Sequence, residues 1–546
     1  MQLLNGNLRI MLHKLCIVLL TAAAVCAPLG AIQQPVKTRG GLVSGVAGKN
    51  PSITAFKGIP FAAPPVGNLR WAAPKPPAPW TGVRKAEKFS ASCIQTVADS
   101  GRDPWTPEFM THGEISEDCL YLNVFTAARS AGEKRPVFVY IYGGGFNEGS
   151  AAVPVYDGEG LAGKDLVVVT FNYRVGIMGF FNHPELSAES EHHASGNYGL
   201  LDQVAALQWV HDNIAAFGGD PSRVTIAGQS AGASSVHALT ASPLAKGLIH
   251  RAIEESGSSV GGVGLMGTNQ LANAEQNGVR FAEAKGAKNL AGLRAMTWQQ
   301  IAAPVQAPAN AAGRGGAGVR FGMVVDGYFL PASVDEIFAQ GKQNDIPEMT
   351  GLNADDMGIS ATPNATLSAF QDQAKARYGD LAADYLKAYA VASDAEAVQA
   401  GPESSRDQSR VSMYLWATNR AKTAKTNAYT YYWNHSLPGP NAARYRAFHT
   451  SEVPYVLNTL YMSDRPFTAA DHKIAAMMSS YWANFAATGN PNGKGLPQWP
   501  SVSEKPDTTM QLGEATGVIP IANTPAKIEF WKQNFARPAV GRGRGQ

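Results

Sequence analysis

The sequence lacks a strong excess of charge of either sign. Its 46 lysine and arginine residues nearly balance 43 aspartate and glutamate residues, which gives a formal net charge of +3. A nucleic-acid partner is therefore not expected, because such binding depends on the neutralisation of many phosphates. After residue 31 the chain also lacks an apolar stretch of about 20 residues, the length that a helix needs to cross a bilayer. We therefore expect no membrane span.

Sequence signatures of bound metals and nucleotides are missing as well. His192 and His193 are adjacent, which is not the spacing of metal ligands on one helix face. No Gly-x-Gly-x-x-Gly opens a first strand–helix–strand unit with a following acid. We expect neither a metal nor any other cofactor. No linker clearly divides the chain, so residues 32–546 are predicted to form one domain, and a monomer is favoured.

The first 31 residues have the layout of a secretory signal peptide. Basic residues precede an apolar stretch at 15–25, and small residues follow it up to Ala31. The stretch is too short for a membrane-spanning helix of about 20 residues. We therefore expect residues 1–31 to be removed and the mature protein to be secreted or periplasmic.

Two of the four cysteines, Cys93 and Cys119, lie after this leader. An even number of cysteines in an exported chain typically indicates a disulfide. It would close the intervening loop and stabilise the fold by about 3 kcal/mol on a chain-entropy estimate. Two unrelated buried thiols are the alternative.

The chain after the leader alternates strand and helix patterns. Strands are predicted at 135–142, 165–173, 347–353 and 428–434. The first two are near-continuous apolar runs, as in parallel strands that are covered on both faces. A helical spacing of apolar residues follows at 200–217 and ends at two glycines. This alternation predicts an α/β fold with a central, mostly parallel sheet and helices on both faces.

The stretch VTIAGQSAGA (224–233) joins a strand to a helix of small residues through Gly-x-Ser-x-Gly. A sharp turn from strand to helix leaves little room beside its central residue, and Gly228 and Gly232 supply that room. Ser230 is then exposed at the carboxyl edge of the sheet, which is the geometry of a nucleophile elbow. The N–H groups and the dipole at the start of the helix would face a developing oxyanion.

One histidine after Ser230 lies where a general base is expected. A serine hydroxyl needs a base that removes its proton and a third group that orients this base. In α/β-hydrolases the serine, the acid and the histidine follow in that order along the chain. Four histidines are rejected, being too near Ser230 in sequence or expected at the surface: His237, His250, His435 and His472. His449, in a loop after the last long strand, is the candidate base.

Long motifs extend the pattern over almost the whole chain. They include FKGIPFAAPPVGNLRW (56–71), FGGDPSRVTIAGQSAG (217–232) and WANFAATGNPN (482–492). The motif EDCLYLNVFTA (117–127) ends in Ala127 where a proline is usual. With these motifs the chain resembles the type-B carboxylesterases, which include cholinesterases and bacterial p-nitrobenzyl-type esterases. The resemblance implies an α/β-hydrolase fold and a serine carboxylic-ester hydrolase that works through an acyl-enzyme, and the leader implies that this enzyme is secreted.

The resemblance implies roles for individual residues. Ser230 matches the family's nucleophile and His449 its general base. The motif YGGGF looks like the family's oxyanion loop, in which Gly144 and Gly145 would donate N–H bonds together with Ala231.

Further positions match the family's pattern around this site. Cys93 and Cys119 match its first disulfide. Ser256 and Glu452 match a pair that the family places near the histidine. Gln229 precedes the serine where cholinesterases usually have Glu, so it offers no charge to a cation.

The acid is expected in the motif GLNADDMG (351–358), where the family usually has Glu preceded by Asp. This chain has Asp355 and Asp356 there, and Met357 displaces the following glycine. Consecutive side chains at a strand end tend to point to opposite sides, so both are not expected to face His449. Asp356 aligns with the family's acid and is assigned this role, and Asp355 is assigned a loop-stabilising role.

The same alignment predicts the class of substrate. Trp105 is out of register with the choline-stacking Trp of cholinesterases, and Gln229 lacks the charge. Ala317 and Val319 match bulky aromatics of the acyl pocket and leave more room. We therefore expect an uncharged small-molecule ester and a roomy acyl pocket.

Two other functions stay open. A catalytically silent cholinesterase-like binding or adhesion protein has the same fold, but such proteins typically lose a member of the triad. An amidase or peptidase could use the same triad, because amide hydrolysis differs mainly in leaving-group protonation and pocket shape.

Overall fold

Within the described residues, eleven strands pair into one central sheet. The computed structural model describes residues 32–97, 100–257, 269–304, 321–356 and 365–537. The strands are β1 (Val46–Ala47), β2 (Thr54–Pro60), β3 (Tyr121–Thr126), β4 (Arg135–Ile141), β5 (Val167–Phe171), β6 (Gly219–Gln229), β7 (Arg251–Glu255), β8 (Glu348–Asn353), β9 (Ala428–Trp433), β10 (Thr508–Leu512) and β11 (Gly517–Pro520). Their order across the sheet is β11-β10-β9-β8-β7-β6-β4-β5-β3-β2-β1.

The middle of the sheet is parallel and its two edges are antiparallel. In the order β5-β4-β6-β7-β8-β9-β10, each strand is parallel to the next. The outer pairs on both sides are antiparallel. All residues of β5 and β8 are buried, and successive side chains of a strand point to opposite faces, so both faces of the sheet are covered. The predicted α/β-hydrolase architecture is confirmed.

The longer helices are α1 (Tyr198–Asn213), α2 (Ala231–Ala241), α3 (Leu271–Ala284), α4 (Leu367–Tyr378), α5 (Asp394–Arg420), α6 (Ala469–Thr488) and α7 (Pro525–Ala536). Shorter helices are Glu159–Ala162, Gly176–Phe180, Pro184–Glu189, Leu290–Arg294, Trp298–Ala302, Val334–Ala339, Ala382–Ala388, Ala442–Tyr445 and Val453–Val456. Short strands pair outside the main sheet at Val36–Lys37, Leu42–Ser44, Val83–Lys85, Ser92–Cys93, Ile115–Ser116, Asn269–Gln270 and Val324–Val325.

The four predicted strands are present as β4, β5, β8 and β9, with small differences at their ends. The predicted helix at 200–217 divides into α1 and a 3-10 turn, Ile214–Phe217. Gly218 ends this turn with φ 82°, a left-handed conformation that glycine adopts without a steric penalty. The local patterns therefore predicted the elements better than their boundaries.

The predicted signal peptide at residues 1–31 lies outside the described residues. Within the described ranges, no helix is both long enough and apolar enough to cross a bilayer. The acyl-pocket positions Ala317 and Val319 and the displaced glycine after Met357 also lie outside the described residues.

Cys93 and Cys119 form a disulfide, which confirms the predicted pair. Both cysteines are buried, and the short strands that contain Cys93 and precede Cys119, Ser92–Cys93 and Ile115–Ser116, pair with each other. The bond closes a loop with a sequence separation of 26.

Replacing both cysteines, Cys93→Ala with Cys119→Ala, is expected to lower the free energy of unfolding by about 3 kcal/mol. The reason is that the disulfide restricts the conformations of the unfolded chain, so its removal raises the entropy of the unfolded state. The midpoint of thermal unfolding, compared between variant and wild type by calorimetry, measures this loss. Alkylation followed by mass measurement provides the check, since two reactive thiols in the folded wild-type protein would contradict the prediction.

Candidate active site

Ser230 occupies a strained turn between β6 and α2. Its backbone has φ 60° and ψ −121°, a region that costs a non-glycine residue about 1–3 kcal/mol. A Cβ on Gly228 would lie 2.6 Å from the carbonyl carbon of Gly232, and a Cβ on Gly232 would lie 2.0 Å from the carbonyl oxygen of Ile141. Only glycine therefore lets the first turn of α2 approach the end of β4 this closely.

Hydrogen bonds fix the backbone of the serine from two sides. The Ser230 N–H donates to the carbonyl of Glu255 at 2.8 Å, at the end of the neighbouring strand β7. The Ser230 carbonyl accepts from the N–H of Ser234 at 3.0 Å, inside α2. The turn is thus tied to both the sheet and the helix, and Ser230 lines a cavity at the carboxyl ends of the strands.

His449 and Asp356 meet in the same place although they are far apart in sequence. Asp356 follows β8, and His449 lies in the loop after β9, the next strand in the sheet. The Nδ1 of His449 lies 2.5 Å from Oδ1 of Asp356. With a proton on Nδ1, the Nε2 lone pair is available on the other side of the ring.

Asp355 points away from the histidine. Its Oδ1 accepts a hydrogen bond from Nη2 of Arg406 at 2.7 Å, and its Oδ2 accepts one from the N–H of Ala447 at 3.3 Å. Its own N–H donates to the carbonyl of Ala447 at 3.0 Å. Asp355 therefore fastens the loop that carries His449, while Asp356 contacts the ring.

The environment of His449 favours its protonated form. Burial alone would lower the pKa of the imidazole. The Asp356 carboxylate at Nδ1 and the nearby Glu452 carboxylate outweigh this effect and raise the pKa above its usual value. The ring is thus a stronger base than a free histidine.

Gln229 contacts the other ring nitrogen. The side chain of Gln229 is buried, and its amide nitrogen lies 3.2 Å from Nε2 of His449. The position before the serine, which the sequence placed next to the site, is therefore in direct contact with the candidate base. It brings no charge to the cavity.

Glu452 and Ser256 differ in how closely they approach the candidate base. The Glu452 carboxylate accepts a short hydrogen bond from the amide of Asn353. Burial, together with the Asp356 carboxylate, raises the pKa of Glu452 to about 7. Ser256 is bound to β8 through its N–H, at 2.8 Å from the carbonyl of Gly351. Among the described residues, the hydroxyl of Ser256 has no hydrogen-bond partner, whereas the charge of Glu452 helps to raise the pKa of His449.

Glu255 is a buried carboxyl group that the sequence analysis missed. Its Oε1 accepts from Nε1 of Trp482 at 2.8 Å, and Oε2 lies 3.4 Å from the hydroxyl of Tyr140. Burial and the Glu452 carboxylate raise the pKa of Glu255 to about 8. The signal in the sequence was an acidic residue at the end of an apolar strand, directly before Ser256.

The glycine loop after β4 forms one wall of the cavity. Gly144 and Gly145 have φ 103° and 63°, which other residues rarely adopt. A Cβ on Gly144 would lie 2.1 Å from the carbonyl oxygen of Glu148, so the loop is too tight for a side chain there. Ala231 is the first residue of α2, where the helix dipole is positive. The three predicted oxyanion donors thus lie beside Ser230 on two elements.

The cavity itself has a volume of about 410 Å³. Another part of its wall comes from the segment between the two bonded cysteines and includes Arg102, Trp105 and Phe109. Trp105 lines the cavity although the alignment put it out of register with a choline-binding tryptophan. Its Nε1 donates to Oγ1 of Thr450 at 2.6 Å, next to His449.

The rejected histidines lie away from this cavity. The expectation that His435 is a surface residue was wrong: its side chain is 9% exposed, and Nε2 lies 2.9 Å from Asp471 at the start of α6. His472 is exposed, as expected. His237 is buried, and burial together with the charge of Arg420 lowers its pKa to about 3.

One cluster could be considered for a metal ion. Ligand atoms of His237, Glu254 and Glu348 all lie within 4.8 Å of one another. However, the guanidinium of Arg420 already binds Glu348, with Nε 2.9 Å from Oε1. This buried cation supplies the positive charge that the carboxylates need, so we assign no metal here.

Comparisons with known proteins agree with the geometry. A model of the carboxylesterase family matches residues 33–531. The chain is 36% identical to the fumonisin B1 esterase of Sphingopyxis macrogoltabida over 506 residues, 88% of each chain. It is 33% identical to human cocaine esterase over 520 residues, 89% of this chain and 88% of the relative. It is 34% identical to a medium-chain fatty acyl-CoA hydrolase precursor of Anas platyrhynchos over 554 residues, 94% of each.

Proposed function

Because this chain belongs to the carboxylesterase family and is a carboxylic-ester hydrolase, we propose that it cleaves uncharged small-molecule esters through an acyl-enzyme on Ser230. One observation carries the proposal. Ser230 and His449 line the same cavity, and the Nδ1 of His449 lies 2.5 Å from Oδ1 of Asp356. This is the arrangement of a nucleophile, a base and an orienting acid.

In the first half of the reaction, Ser230 Oγ attacks the ester carbonyl carbon and His449 Nε2 takes the hydroxyl proton. Asp356 holds the Nδ1 proton and stabilises the imidazolium that forms. His449 then gives the proton to the alcohol oxygen, and the carbon–oxygen bond breaks. The alcohol leaves and the acyl group remains on Ser230.

In the second half, water takes the place of the alcohol. His449 accepts a proton from the water, which attacks the acyl carbon, and then returns the proton to Ser230 Oγ as the acid leaves. In both halves the N–H groups of Gly144, Gly145 and Ala231 stabilise the negative carbonyl oxygen.

The names of the relatives include fumonisin, cocaine and acyl-CoA, so membership in the family does not determine the ester. The neutral amide of Gln229 supports an uncharged substrate. The disulfide supports an exported, oxidised protein whose residues 1–31 are a signal peptide. Strands from residues 46 to 520 share one sheet, which supports a single domain for residues 32–546.

The test is a panel of aryl and alkyl esters with graded acyl chains, each beside the matching amide. We expect the esters to be cleaved, with a mass increase of one acyl group on the peptide that contains Ser230 after rapid quenching. Faster cleavage of the amides would favour the amidase or peptidase. A folded protein with no turnover and no labelled serine would favour the silent binding protein.

A further inference from the structure

Arg102 covers the aromatic ring that faces the cavity. The Cζ of Arg102 lies 5.6 Å from the centre of the Trp105 ring, a cation–ring contact. The backbone fixes this arrangement, since the N–H of Arg102 donates to the carbonyl of Trp105 at 2.8 Å and the N–H of Trp105 donates back at 2.7 Å. The Trp105 ring is therefore already in contact with a positive charge of the protein, the guanidinium of Arg102.

The ring lies close to the candidate base. Trp105 binds Thr450, the residue after His449, and both Trp105 and Thr450 line the cavity. A substrate group that extends from Ser230 toward this wall meets the ring and the guanidinium together. Arg102 is the exposed member of its ion pair, with 57% of its side chain accessible against 23% for Glu148.

Among the described residues that line the cavity, every carboxylate has a cationic partner, so none is left for a cationic substrate. Arg102 and Glu148 form an ion pair, and Gln229 is neutral. A cation that leaves water for such a site loses its hydration without gaining a partner, which is unfavourable. Near the guanidinium it also meets a like charge.

We infer that Arg102 is a specificity-determining residue that excludes esters with a quaternary ammonium group and keeps neutral esters of the same shape. This inference rests on the proposed ester hydrolysis at Ser230. It adds one residue and one charge criterion to the substrate class: neutral esters bind beside Trp105, and cationic esters are excluded. We call this criterion the charge rule.

The kinetic test compares acetylcholine with 3,3-dimethylbutyl acetate, in which carbon replaces the charged nitrogen. We expect wild-type kcat/KM to favour the neutral ester. Arg102→Gln removes the charge and uncovers the ring, and is expected to raise the cationic-to-neutral ratio of kcat/KM about tenfold, the size of a cation–ring contact. Glu148→Gln is the matched control, because it removes the negative partner and is expected to lower the ratio.

A binding measurement makes the inference independent of turnover. Calorimetry would compare phenyltrimethylammonium binding to Ser230→Ala and to the double variant Ser230→Ala with Arg102→Gln. Tighter binding by the double variant supports the inference, and equal or weaker binding overturns it. An unchanged kinetic ratio in Arg102→Gln, or the same shift in Glu148→Gln, also overturns it. If wild type cleaves neither ester but ammonium binding tightens as expected, ester hydrolysis fails and the charge rule stands.

Discussion

Ser230→Ala is expected to abolish ester hydrolysis and to leave the protein folded. The substitution removes one oxygen from a side chain that faces a cavity, so little packing is lost. Because the members of a catalytic triad act as a unit, the proposed role of Ser230 predicts that the turnover number falls by about 10⁶-fold, the loss seen when a serine protease loses its nucleophile. Steady-state assays with a 4-nitrophenyl ester, together with thermal unfolding of the variant, measure both parts of the prediction.

Ser234→Ala is the matched control for this variant. Ser234 lies one helical turn further along α2, is buried, and loses the same single oxygen. Its turnover is expected to stay close to that of wild type. Turnover near the wild-type level in a clean preparation of Ser230→Ala would refute the role of Ser230.

Asp356→Asn is expected to lower turnover by about 10⁴-fold, as the equivalent change does in a serine protease. The amide keeps the shape of the side chain but cannot stabilise the imidazolium. Without the carboxylate, the pKa of His449 falls, because Asp356 is a cause of its raised value. Since the base must be deprotonated to act, the acidic limb of the pH–rate profile moves to lower pH.

Asp355→Asn is the neighbouring control. Asp355 binds Arg406 and the backbone of Ala447, so its replacement is expected to cost stability and much less turnover. Assays of the two variants across pH would separate these roles. A larger loss of turnover in Asp355→Asn, or an unmoved acidic limb in Asp356→Asn, would show that the assignment is off by one residue.

From the residues alone, the parts of the site that could be predicted are those set by local geometry, whereas His449 and Asp356 were assigned with the help of the family's pattern. The turn at Ser230 is encoded within ten residues, because strand, glycine spacing and helix adjoin one another. The alternation of side chains after β8 predicted that Asp355 and Asp356 would not both face His449, and the alignment with the family selected Asp356. In both cases the structure places the side chains where the pattern indicated.

Contacts between distant segments could not be predicted in the same way. Arg102 and Glu148 pair only because the segment between the cysteines lies over the glycine loop. Glu255 reaches Trp482 from a strand to a helix more than two hundred positions away. His435 was wrongly expected at the surface because its partner, Asp471, belongs to an element that sequence spacing could not bring near it.

The segment between Cys93 and Cys119 contributes seven of the residues that line the cavity, whereas Ser230, Asp356 and His449 all come from outside it. The disulfide between Cys93 and Cys119 joins its two ends. We expect substitutions within it to change the shape of the cavity, and those at Trp105, which binds Thr450, to affect His449 as well. The part of the cavity wall that this segment forms is thus encoded separately from the residues assigned to the chemistry.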